Sequence, residues 1–240
     1  DIPNKGIRFV DRAKHGRSDH GGNCLTECRN GDIVAFYSNV SGEIEKGHGV
    51  AGWSEYRRSE DGGKTWPTHV VVFEDPEKRF GYFEQKLAEI EPGRLMAVAW
   101  TVTLGDVVDR PDSFALSNDN GSTWGPALST GIQGQTMTPI PLGGDRLLVL
   151  YNRRYGEQGI VMNLVIFTDQ DWTIHYESLM YDARAQREKP EDATGLEELE
   201  TFAFGFPTAI RLQDGTYLAT HWSQEGGKFG IRWTKLRIDW

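Results

Sequence analysis

Ser-Glu-Asp-Gly-Gly-Lys-Thr-Trp at residues 59–66 returns as Ser-Asn-Asp-Asn-Gly-Ser-Thr-Trp at residues 117–124, and this recurrence decides the fold. Ser59/Ser117, Asp61/Asp119, Gly63/Gly121, Thr65/Thr123 and Trp66/Trp124 sit at identical offsets, 58 residues apart. A motif repeated on that scale marks a solenoid, an array or a propeller. Its chemistry is that of a joint. Asp61 and Asp119 can accept backbone N–H bonds within a turn. Gly63 and Gly121 can take positive φ, after which Thr and Trp re-enter a strand. Repetition also argues against catalysis, because an active site needs one asymmetric constellation.

Working outward, four hydrophobic hairpins interleave with the motif: residues 24–38, 87–100, 138–152 and 207–222. Each folds about a tight turn, at Asn30-Gly31, Pro92-Gly93, Gly143-Gly144 and Asp214-Gly215. Their flanks are rich in Val, Ile, Leu, Tyr and Trp, as buried strands require. A further strand follows each hairpin, at 49–59, 112–117, 159–168 and 229–238. Fourth strands are expected at 69–73, 126–130 and 174–182, the last after a worn copy of the motif, TDQDWT (168–173). The chain therefore reads as all-β, a single domain over 1–240 built of four-stranded antiparallel propeller blades. Four blades are legible, five or six if degenerate or missing ones are counted; Gly6–Val10 is a candidate closing strand. The charged stretch 185–200 reads as a solvated insertion between blades.

Composition supports a packed domain: 38% of the 240 residues are hydrophobic and 11% aromatic. A net charge of −9 argues against a nucleic-acid surface. No run reaches the roughly 18 apolar residues of a membrane helix, and no leader is visible in this chain. The compartment is left open, with a lean to secreted or periplasmic. Cys24 and Cys28 on one strand would lie about 13 Å apart, beyond the roughly 7 Å a disulfide spans, so they read as buried thiols. No metal-ligand spacing or phosphate loop is present, so neither metal nor cofactor is expected.

Strand direction sorts the loops onto two ends of the blades. The octapeptides share one end with the Gly turns, and the long irregular loops, where function tends to lie, collect at the other. There the loop at 15–23 carries Arg17, Asp19 and His20, and the entry to the second blade carries Tyr82 and Glu84. Gln133 and Gln135 enter the third blade; His48, Asp106, Asp109, Arg110, His221 and Glu225 lie in other loops of this end. Densest is the expected loop 151–158, with Arg153 and Arg154 between Tyr151 and Tyr155, and Glu157 beyond. Adjacent arginines offer bidentate donors to a carboxylate.

The two octapeptides resemble the Asp-box, S-x-D-x-G-x-T-W, of the sialidase (neuraminidase) superfamily of β-propellers. Residues 134–160 and 204–222 also resemble bacterial sialidase-like propellers. The resemblance implies a glycoside hydrolase acting on an acidic, sialic-acid-type sugar, with a glycan as partner. It implies arginines holding the carboxylate, an Asp acid/base and a Tyr nucleophile assisted by Glu. Arg17, Arg110, Arg153 and Arg154 are candidates for the clamp, with His20 and Gln135 binding beside them, and Asp19 for the acid/base. Tyr151 or Tyr155 could attack, with Glu84 or Glu157 as partner. Two other readings stay open: a uronate lyase using His20 with Tyr82 or Tyr151, and a non-catalytic carbohydrate-binding propeller.

Overall fold

The computed structural model describes residues 24–41, 51–104, 108–154, 156–183 and 203–240. Arg17, Asp19, His20, His48, Asp106, Tyr155, the expected closing strand and the insertion at 185–200 lie outside the described residues. Among the described residues fifteen strands form four antiparallel sheets, each in chain order. Sheet 1 holds β1 (Cys24–Glu27), β2 (Ile33–Ser41), β3 (Ala51–Ser59) and β4 (Thr68–Phe73). Sheet 2 holds β5 (Phe80–Glu91), β6 (Arg94–Thr103), β7 (Asp109–Ser117) and β8 (Leu128–Ser129). Sheet 3 holds β9 (Gln135–Gly143), β10 (Arg146–Arg153), β11 (Gly159–Phe167) and β12 (Trp172–Asp182). Sheet 4 has three described strands, β13 (Phe204–Arg211), β14 (Tyr217–Glu225) and β15 (Lys228–Leu236).

The expected hairpins are thus the first two strands of each sheet. The first strands lie innermost: Thr26, Lys86, Ala88, Thr138, Ile140 and Thr208 line one central cavity of about 370 Å³. This is a β-propeller.

Alternation along the strands makes each sheet two-sided, and the sides stack in chain order. Tyr56, Leu95, Ala97 and Ala115 fill the space between sheets 1 and 2. Met96, Val98, Phe114 and Leu116 meet Leu147, Val149, Val161 and Phe167 between sheets 2 and 3. Leu148, Leu150 and Ile140 meet Tyr217 and Ala219 between sheets 3 and 4. A fully buried Leu of this kind contributes roughly 1.5–3 kcal/mol. Arginines tie each sheet to the next. Arg58 Nη1 donates to the Asn120 carbonyl (2.7 Å), Arg94 pairs with Asp145 (2.9 Å) and Asp169 (3.2 Å), and Arg146 Nη1 donates to the Trp240 carbonyl (2.5 Å).

One sequence expectation shifts and one holds. Tyr82, Glu84, Gln135, Tyr151 and Arg153, read as loop residues, sit within strands that run further towards their end of the blades than composition suggested. The thiol expectation holds where described: Cys28 is buried and free, and burial with the charges of Glu89 and Asp32 pushes it up to about 11.

Candidate functional site

The two ends of the blades differ in kind. At the turn end the octapeptides form matching networks. Asp61 accepts from Ser59 Oγ (2.8 Å), the Thr65 amide (2.9 Å) and Thr65 Oγ1 (2.7 Å), while Ser59 Oγ accepts from the Gly63 amide (2.8 Å). Asp119 accepts from Ser117 (2.8 Å), the Thr123 amide (2.8 Å) and Thr123 Oγ1 (2.6 Å), and Ser117 from the Gly121 amide (2.8 Å). These bonds favour the charged forms, pulling Asp61 down to about 2 and Asp119 below the usual carboxylate range. The second turn is also keyed into sheet 1. A Cβ on Gly121 would lie 2.3 Å from the Tyr56 ring, Tyr56 Oη donates to the Asn120 carbonyl (3.0 Å), and Asn120 Nδ2 donates to Asp32 (3.0 Å). The side chains of Ser59, Asp61, Ser117, Asp119 and Thr123 are thus bonded within their turns, while the buried Asn120 Oδ1 has no partner among the described residues.

The opposite end is the mouth of the channel. Three inner strands carry a register break at equivalent places: Phe83/Lys86 in β5, opposite Leu150/Asn152 in β9, and Gly205/Thr208 in β13. Two of these bulges hold a non-glycine residue at positive φ, Glu84 (49°) and Phe206 (51°). Such a conformation costs energy and persists where surrounding structure dictates it. The bulges meet around the axis. Lys86 Nζ lies 5.7 Å from the Phe206 ring centre, and Thr138 Oγ1 donates to the Pro207 carbonyl (2.7 Å). Outside them, Phe83 packs on Trp100 (5.7 Å), whose indole donates to Asp109 (2.8 Å). The mouth thus presents a half-buried carboxylate, an ammonium and aromatic faces close together.

Around this mouth the sequence candidates fall into two groups on opposite sides of sheet 3. Gln135 and Arg154 are brought together: both are buried, Arg154 Nε donates to Gln135 Oε1 (2.7 Å), and the guanidinium lies 5.0 Å from the Phe204 ring centre of sheet 4. Arg153 turns the other way, donating to Glu177 (2.8 Å) and to the Glu157 carbonyl (2.8 Å). Tyr151 lies on Arg153's side, packed between sheets 2 and 3 with its hydroxyl 3.5 Å from Glu177. Burial and the Glu177 charge push that phenol up to about 12. Glu84 is half-buried at the mouth, and Arg110 is exposed on β7.

Sequence reasoning passed over Asp112 and Asn152, and treated His221 only as a loop residue. All three are buried at this end. Among the described residues Asp112 has no well-formed hydrogen-bond partner; burial first, then the charges of Asp109 and Glu84, push its carboxyl well above the usual range, against a weak pull from the Thr101 amide. Among the described residues, neither the Asn152 amide nor the His221 ring nitrogens have a hydrogen-bond partner. Burial and the Arg232 charge push His221 down to about 4, leaving a neutral imidazole 4.7 Å from the Tyr181 ring. A signal existed: Asp112 shares the parity of Phe114 and Leu116, Asn152 that of Leu148 and Leu150, and His221 that of Tyr217 and Ala219. A polar residue in an apolar row near a strand end marks a buried polar spot. Among the described residues no group of three metal-type ligands assembles.

No family model matches the chain, and no curated protein matches it. Solved structures do. A Dyadobacter fermentans protein of unknown function is 22% identical with a TM-score of 0.66, over 90% of this chain and 52% of its own. The α-L-arabinanase of Penicillium chrysogenum, complexed with arabinobiose, is 19% identical at 0.62, over 89% and 61%. A sialidase of Streptococcus pneumoniae is 13% identical at 0.54, over 89% and 30%. The chain spans roughly half to three-fifths of the first two. At these identities the likeness establishes the propeller fold, one that sialidases and arabinanases share.

Proposed function

We propose that this propeller acts on a glycan at the mouth end of its channel, as a glycoside hydrolase for an acidic, sialic-acid-type sugar. The observation that carries the reading is Arg154, a buried guanidinium oriented by Gln135 and stacked on Phe204 beside the channel. A fixed planar donor in a largely dry site is suited to a substrate carboxylate. Support also comes from the match of both octapeptides to the Asp-box and from the sialidase among the structural neighbours.

In this reading Arg17, His20 and Arg110 extend the carboxylate site, and Asp19 serves as acid/base. Glu84 partners the nucleophile. Tyr155 is preferred over Tyr151 as that nucleophile, because the Tyr151 phenol is engaged with Glu177 and held neutral by burial. Arg153 braces Glu177 rather than the substrate.

The test is cleavage of a 4-methylumbelliferyl sialoside by wild type, Asp19→Asn and Arg154→Met. Each variant should lower kcat/KM about 100-fold or more. The reading fails if both leave cleavage intact.

A second reading is hydrolysis of a neutral furanoside. The divergence of Arg153 and Arg154 to opposite sides of sheet 3 favours it, as does the arabinanase likeness. Cleavage of a 4-nitrophenyl arabinofuranoside with no sialoside turnover would select it. Glycan binding without turnover would select a carbohydrate-binding propeller, and an unsaturated product from a uronate polymer would select a lyase.

A further inference from the structure

Phe206 sits where the fold gains little from a phenylalanine. In the bulge of β13, Gly205 pairs with Trp222 and Thr208 with Thr220, so Phe206 and Pro207 together stand opposite His221. The φ of Phe206 is +51°, which glycine adopts freely and an L side chain only at a cost. Gly205 is adjacent but committed elsewhere: a Cβ there would lie 2.9 Å from Trp222 Nε1 and 3.1 Å from Arg154 Nη2. The strain therefore falls on a large apolar side chain.

Packing does not account for that strain. Phe204, Gly205 and Pro207 are buried, whereas Phe206 among them is 50% exposed. Its ring partner among the described residues is the Lys86 ammonium, 5.7 Å from the ring centre, and a cation–π contact at an exposed site is weak. That contact also fixes the direction of the side chain. β13 and β5, which carries Lys86, are the innermost strands of sheets 4 and 2, so the ring reaches over the channel rather than towards the outer side of sheet 4. The backbone beneath is pinned, because Thr138 Oγ1 of sheet 3 donates to the Pro207 carbonyl (2.7 Å). Sheet 2 repeats the arrangement, with Glu84 at φ +49° in the matching place of its bulge and Lys86 two residues on.

We propose that Phe206 is a stacking platform for one sugar ring at the mouth of the channel. Backbone strain held under a side chain that packs against little else concentrates at ligand clamps. The electron-rich face of the ring attracts the weakly positive C–H face of a sugar. Glu84 and Lys86 supply an acceptor and a donor for the hydroxyl groups on that sugar's rim. Such stacking rests on the glycan reading of the mouth, though not on an acidic sugar in particular. It adds affinity and takes no part in bond breaking.

Calorimetric titration of the full chain with the non-hydrolysable phenyl thioglycosides of sialic acid and of arabinofuranose tests it. Wild type should bind one of them. Phe206→Gly should weaken that binding about 10-fold or more. It should melt within about 4 °C of wild type, because relief of the strain offsets the lost contacts. Phe206→Tyr should bind as wild type does. So should Tyr176→Ala, which removes an exposed ring from the outermost strand of sheet 3. Undiminished binding by Phe206→Gly, or equal weakening by Tyr176→Ala, overturns the platform and leaves the glycan reading standing. A fall of about 10 °C or more in the melting temperature of Phe206→Gly also overturns it, since Phe206 is then a packing residue. A wild type that binds neither thioglycoside overturns both. Phe206-dependent binding in a protein that cleaves no glycoside supports the platform and overturns the hydrolase alone.

Discussion

The two ends of the blades are built from the same strands under opposite rules. At the turn end, Ser59, Asp61, Ser117, Asp119 and Thr123 are bonded within their turns, and the second turn is locked against Tyr56. At the mouth end, Asp112, Asn152 and His221 are buried without good partners among the described residues, and Glu84 and Phe206 hold strained backbone. An unsatisfied buried polar group costs about 1–3 kcal/mol, so one end supplies stability that the other spends. The contrast separates the part of the molecule that specifies its shape from the part suited to bind something else.

The sharpest way to break that contrast is Gly121→Ala. The added methyl collides with the Tyr56 ring at a backbone φ of +80°. A loss of about 3 kcal/mol is expected from strain and overpacking together. Gly63→Ala meets neighbours only at 3.8 Å and should cost about 1–2 kcal/mol. Equal losses in thermal melts would show that the second turn is not specially keyed.

At the mouth end, Asp112→Asn should stabilise. The raised pKa means that folding favours the protonated carboxyl. Its contribution is therefore complete below the usual carboxylate value and is lost as pH rises towards the folded value. The variant escapes that loss, so its advantage should grow from nothing near pH 4 to a clear rise in melting temperature at pH 8. A melting difference that does not change with pH would contradict it.

His221 carries the opposite sign. Its pKa falls from 6.5 to about 4, so its contribution is present above pH 6.5 and is lost as pH drops through 4. His221→Phe should remove about 1–2 kcal/mol of acid sensitivity over that window. The smallest effect is expected from Asp61→Asn. The depressed carboxylate contributes above the usual value, and that contribution is lost as pH falls towards 2. The variant should melt slightly lower at pH 7 and converge with wild type near pH 2.

The repeat of the octapeptide and the four turn pairs made the blade order legible, because turn chemistry and alternation are local properties. The mouth was only half legible. Residues 151–158 read as a loop, which hid the alternation that sends Arg153 and Arg154 to opposite sides of sheet 3. At the bulges the positive φ falls on Glu84 and Phe206 rather than on a glycine, so turn chemistry did not announce them, although Gly205 and Pro207 flank the second. Asp112 and Asn152 could have been found by parity alone, had buried rows been searched for polar intruders.

The inter-sheet arginine bonds described above each reach forward, Arg58 to the second sheet, Arg94 to the third and Arg146 to the fourth. A ribosome delivers the chain in that same order. Each newly emerged sheet can therefore dock on one already finished, with contacts between near neighbours in sequence lowering the loop-closure cost that slows most β-proteins. Synthesis from the amino end would then lay down the four described sheets one after another, each on the face its predecessor presents.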